Sequence, residues 1–204
     1  QAFGGYIGLS LFGLWISRRY LKHAFRTAMG LSSELEETRE PISYRLAFGG
    51  TAVGLCFMLY FADKIGMSLP VALAFFLIYF LLSLAVGRIR AELGPPAHDL
   101  HHAGPDQFLT ALFGTGAQSR LSPQNQTALK LMYWFNRAYR AHPLPCQLEG
   151  MKMAQMTGMS QRRFWVAMLL AGVVGTGAAF WAQLHNYYVY GMSAKIAPPA
   201  ITAF

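Results

Sequence analysis

Between Arg90 and Gln107 the chain reads RAELGPPAHDLHHAGPDQ, which sets His98, His101 and His102 among Glu92, Asp99 and Asp106, with Arg90 at the front. Imidazoles and carboxylates at this density are ligand chemistry. Three or four N and O donors suffice for a single zinc or copper ion, so His98, His101 and His102 are the metal candidates. The same seven residues also make a candidate functional loop for transport. Alternatively they form a polar connector shaped by Gly94-Pro95-Pro96 and Gly104-Pro105, whose histidines bond locally.

The H-x-x-H-H spacing of His98 to His102 resembles one box of the membrane di-iron hydroxylases and desaturases. Those enzymes combine several boxes, whereas His23, His142 and His185 stand alone here. A histidine-box metalloenzyme is therefore the third reading of the chain, and no cofactor other than such a metal ion is expected. Met151, Met153, Met156 and Met159 offer soft thioethers to Cu(I), but their spacing is equally that of an adaptable apolar helix face. Gly114-Thr115-Gly116 lacks the lysine of a phosphate loop.

Something must hold that loop, and the composition says what. With 54% hydrophobic residues, 13% charged residues and a mean hydropathy of +0.30, the chain is too apolar for an ordinary soluble domain. Uncharged runs at about 2–17, 46–62, 67–87 and 164–184 suggest an all-α integral membrane protein with about four transmembrane helices. The first run is short for a hydrocarbon core of ~30 Å and looks like the trailing part of a span. The chain opens on Gln1 and runs straight into it, which suggests a piece of a longer polypeptide.

Seventeen Lys and Arg stand against nine Asp and Glu, a formal +8. Nearly all the basic residues fall in 18–45 and 88–163. Lys64 and Lys195 fall on the other side of the alternating spans. The positive-inside rule then makes 18–45 and 88–163 cytoplasmic, and the charge needs no nucleic acid to explain it. Cys56 and Cys146 are expected as free thiols, because their settings offer no disulfide framework.

Within the cytoplasmic regions, Ser33 and Glu36 have capping-box spacing. Ser122 and Pro123 suggest the start of an amphipathic helix that runs to His142-Pro143, lying on the membrane surface or against a partner. QLEGMKMAQMTGM suggests another short helix. GPDQFLTALFGTGA, from Gly104 to Ala117, is either a broken helix dipping back into the membrane or an ordinary connector. In the last span Ala167, Ala171, Gly175 and Ala179 recur every four residues, and Gly50 with Gly54 repeats the theme. Such strips let helix backbones approach closely in lipid, so further transmembrane helices are expected as partners, from a missing portion or from other subunits.

The runs RIRAELGPPAHDLHHAGPDQF, LKLMYWFNRAYRAHPLPCQLEGMKMA and FWAQLHNYYVYG resemble the C-terminal part of large bacterial polytopic membrane proteins of unknown function. Those proteins are distantly similar to the oligopeptide-transporter superfamily. The resemblance covers most of Gly66 to Gly191 and implies a parent with upstream helices, in the bacterial inner membrane. Its implied activity is transport, not enzymatic catalysis. A non-catalytic structural or accessory subunit of a larger membrane complex is the alternative.

Overall fold

A computed structural model of the chain describes residues 2–31, 40–95, 104–136 and 142–191. Eight α-helices follow in order among them: α1 (Ala2–Ala28), α2 (Tyr44–Lys64), α3 (Leu69–Leu93), α4 (Pro105–Phe113), α5 (Pro123–Leu131), α6 (Tyr133–Asn136), α7 (Pro143–Met156) and α8 (Gln161–Tyr190). A 3₁₀ turn, Gly116–Gln118, separates α4 from α5. The capping-box pair Ser33 and Glu36 lies outside the described residues.

Three helices, α2, α3 and α8, are long and apolar enough to cross a membrane. The sequence suggests four. α1 has the length, but Arg18 and Arg19 follow its uncharged run, and Lys22 and Arg26 extend the helix as a polar arm. The apolar runs underestimate every long helix because backbone hydrogen bonding continues past the last apolar residue. α3 goes on through Arg88, Arg90 and Glu92 to Gly94, which takes the left-handed conformation at φ 63° and donates its N–H to the Arg90 carbonyl.

α3 is the central helix. Its most apolar window is 44% buried, against 6% for α2 and none for α8. α1, α2, α4 and α7 all pack on it. α1 runs parallel to α3: Ser10 Oγ donates to the Leu81 carbonyl, and one turn on, a Cβ at Gly13 would collide with the Arg88 guanidinium. From Ser10 at the level of Leu81, the first turn of α1 falls short of the Ser68 end of α3 by roughly one and a half turns. α2 returns antiparallel between them. Its start meets the end of α1 through Tyr20 and Tyr44, whose hydroxyls lie 3.0 Å apart, and through the edge-to-face pair Phe25 and Phe48.

The main difference from the sequence reading lies in α4 to α6. The single amphipathic helix expected from Ser122 to His142 starts as expected, with Ser122 Oγ accepting from the Asn125 N–H and Pro123 in the first turn. It then breaks at Met132 into α5 and α6. Leu129 and Met132 are buried with Phe75, Phe76 and Leu82 of α3, so this face is covered by the chain's own central helix. Ser122→Ala is expected to lower stability by about 1 kcal/mol, the usual worth of an N-cap. A thermal melt in detergent reads it.

Candidate functional site

The site is built where α4 to α7 travel along α3. Asn125, in the first turn of α5, clasps the beginning of α3: its Oδ1 accepts from the Ser68 N–H at 2.7 Å and its Nδ2 donates to Ser68 Oγ at 3.0 Å. Ser68 is the N-cap of α3 and makes no capping bond of its own, so Asn125 takes up an otherwise open helix-end donor. The return path climbs the same helix. Phe135 packs on Phe75, Phe76 and Tyr79, with a ring separation of 4.7 Å at Tyr79. His142 Nε2 lies 2.8 Å from Ser83 Oγ, and Leu144 fills the space over Gly87. Glu149 of α7 then accepts from Arg90 Nε.

From Ser68 to Arg88 is about 30 Å of helix. The segment expected to stay at the arginine end of α3 thus reaches the opposite end and comes back. Gln126 closes the tip of this hairpin by bonding both backbone groups of Gly116 and the Leu121 carbonyl, which carries Arg120 to the Ser68 end.

Midway along the hairpin, Asp106 and Asn136 form a buried pair. Asn136 Nδ2 donates to Asp106 Oδ1 at 2.7 Å, and the two residues are 2% and 5% exposed for Asn136 and Asp106 respectively. Gly104 makes the approach possible, since a Cβ there would lie 2.5 Å from Asp106 Oδ1 and 2.6 Å from Asn136 Nδ2. Asp106 also sits in the first turn of α4, where a carboxylate meets the positive end of the helix dipole. Two polar atoms are buried with no hydrogen-bond partner among the described residues: Asn136 Oδ1, an acceptor in this pair, and Arg90 Nη1, a donor near the far end of α3. Open donors and acceptors inside an apolar bundle are what a polar solute can exploit.

Of the loop residues singled out in the sequence, the three described ones, Arg90, Glu92 and Asp106, take separate partners. Arg90 pairs with Glu149, Glu92 pairs with Arg88 one turn earlier on α3, and Asp106 pairs with Asn136. His98, Asp99, His101 and His102 lie outside the described residues. Among the described residues no three of His, Cys, Asp and Glu gather to hold a metal. The partners that do meet, Ser68, Ser83, Asn125 and Asn136, are serines and amides, not the ionisable residues that the sequence singles out. Asn136, an amide directly after the aromatic run Tyr133-Trp134-Phe135, carries a signal for such a partner, whereas Asn125 among Gln124, Gln126 and Thr127 does not stand out.

The packing strip is bare. Gly50, Gly54 and Gly175 have nothing within 4 Å of an added Cβ, and Ala167, Ala171 and Ala179 are exposed. α8 touches the body through α7, where Gly150 lets the Phe164 ring in and Gln161 Nε2 bonds the Met151 carbonyl.

A family model described as "Family of unknown function (DUF6785)" matches residues 1–202. No curated protein and no solved structure matches the chain. The likeness to oligopeptide transporters has no counterpart in these comparisons.

Proposed function

The chain belongs to the DUF6785 family of unknown function, and from that premise we propose that it is a membrane-embedded part of a transporter-like protein, with residues 104–149 as a re-entrant hairpin beside the path of a polar solute. The observation that carries this reading is the clasp of Asn125 on Ser68. It lays a broken helical segment along the full depth of α3, and irregular backbone at that depth is tolerated where protein or a water-filled cavity surrounds it. Bilayer immersion is supported by the outer faces. Val53, Phe57, Val173, Val174, Phe180 and Trp181 are each two-thirds or more exposed, and a large apolar side chain left in water forfeits about 1.5–3 kcal/mol. The basic ends of the spans then face the cytoplasm of a bacterial inner membrane. The sequence leaves the solute unassigned, and the distant resemblance to oligopeptide transporters makes di- and tripeptides the first to test.

A second reading, a non-catalytic accessory subunit, draws on the bare strip of α8. It requires other helices on that strip and no aqueous route along the hairpin.

Thiol labelling separates these readings. With Cys56 and Cys146 replaced by alanine, single cysteines at Gln118 and Lys152 are expected to react with an impermeant reagent from opposite sides of the membrane, although both belong to the α3–α8 connector. Labelling of both from one side removes the re-entrant hairpin. Ser83→Cys, a nearly isosteric change about three quarters of the way from Ser68 to Arg88, is expected to react with a small polar reagent and to be protected by di- or tripeptides. A silent thiol favours the accessory subunit, and reaction without protection rejects the peptide as solute.

A further inference from the structure

At the arginine end of the molecule a cavity of about 1360 Å³ opens between the start of α2, the end of α7 and the start of α8. Its lining is both basic and apolar: Lys152 and Arg162 share it with Leu46, Leu148, Trp165 and Val166. Along α8, Trp165 and Val166 follow Arg162 by about one turn. Leu46, in the first turn of α2, and Val166, in the second turn of α8, are exposed although both helices are apolar. Among the described residues one acidic side chain, Glu40, contributes to the rim, and its Oε1 already accepts from the Tyr44 hydroxyl. The N-cap residue Ser160 makes no side-chain bond to the first turn of α8, so backbone donors open toward the same rim.

We propose that this cavity holds an anionic phospholipid, its phosphate between Lys152 and Arg162 and its acyl chains along Leu46, Trp165 and Val166. Charge complementarity selects the occupant: two cations border an apolar wall that continues into helices long enough to cross the bilayer, and along α8 the order Arg162, then Trp165 and Val166, is the polarity sequence of a lipid read from head to tail. Basic pockets between helices on the cytoplasmic side recur as sites for anionic headgroups, whereas a zwitterionic headgroup would bring its own ammonium against Arg162. A soluble phosphate would satisfy the rim and leave the apolar wall bare. The proposal goes beyond the transport reading and shares with it only immersion in a bilayer. Hairpin labelling and lipid retention can fail separately.

The test uses the full chain purified in a neutral detergent. Phosphatidylglycerol is expected to remain bound in native mass spectra and to raise the thermal midpoint by several degrees, with phosphatidylcholine doing neither. Changing Lys152→Gln together with Arg162→Gln is expected to weaken retention at least tenfold, while Lys152→Arg keeps it. Arg120→Gln, at the far end of α3, serves as the control and leaves retention unchanged. Equal retention of phosphatidylcholine, or undiminished phosphatidylglycerol in the double variant, overturns the proposal. Protection by millimolar glycerol phosphate equal to that by the lipid also overturns it, because the acyl wall then contributes nothing.

Discussion

Gly104→Ala is expected to unseat the hairpin, at a cost of about 3 kcal/mol or more. The added methyl would lie 2.5 Å from Asp106 Oδ1 and 2.6 Å from Asn136 Nδ2, distances at which something must move. Neither neighbour is the loose end of a long side chain. Asp106 is fixed in the first turn of α4 and Asn136 closes α6, and both are buried. Overpacking of a tight interior costs about 1–3 kcal/mol. Separating the pair adds about 1–3 kcal/mol for buried polar groups left without partners. Backbone strain contributes nothing, since Gly104 has φ −102°, which any residue adopts. Gly177→Ala is the control: no atom lies within 4 Å of the new Cβ, and helix propensity favours alanine by about 1 kcal/mol. A melt in which both variants behave alike would remove the close approach at Gly104. Asn136→Ala in the Gly104→Ala background should recover part of the loss, as neighbouring sites are not additive.

Phe75→Ala is expected to cost about 3 kcal/mol. Phe75 is fully buried, edge-to-face with Phe76 at 5.3 Å and 6.5 Å from Phe135, at the seam between α3 and the hairpin. In water-soluble proteins Phe→Ala in a core costs about 3–5 kcal/mol, part transfer and part cavity. In the proposed bilayer, lipid removes most of the transfer part, since a phenyl ring leaving the seam still finds hydrocarbon, and packing is what remains. The lower end of the range follows. Leu77→Ala, 62% exposed two residues away on the same helix, should be close to neutral. Equal losses at the two positions, measured by unfolding in detergent, would show that α3 has no buried side there.

The long helices were legible because apolar length is a local property. Leu46–Ala62 and Phe164–Leu184 lie inside α2 and α8, and the errors are terminal, where Tyr44, Lys64 and Gln161 to Arg163 are held by backbone bonds that hydropathy does not register. Ser122 and Pro123 marked the start of α5 by the chemistry of their own backbone. The path of the hairpin was not legible. It depends on Asn125 meeting Ser68 across 57 residues, and nothing in either residue's surroundings names the other. The choice between dipping segment and connector for Gly104 to Ala117 was open for the same reason. Gly104 was noticed as a turn former, while its close packing against Asn136 needed coordinates.

The central position of α3 also bears on how the chain is made. When a ribosome has released Gly94, the seam of α3 has no cover, because Phe135 is still about forty residues away, a wait of roughly 2–8 seconds at ordinary translation speeds. In the bilayer proposed above, hydrocarbon tails can occupy the place of Phe135 against Phe75 and Phe76 during that interval. Ser83 already donates to the Tyr79 carbonyl of its own helix at 2.8 Å, so it too can wait for His142. The Ser68 N–H, with no partner until Asn125 arrives, is the group that nascent α3 leaves to solvent, which on the same proposal favours keeping that end at the bilayer surface while the rest is synthesised.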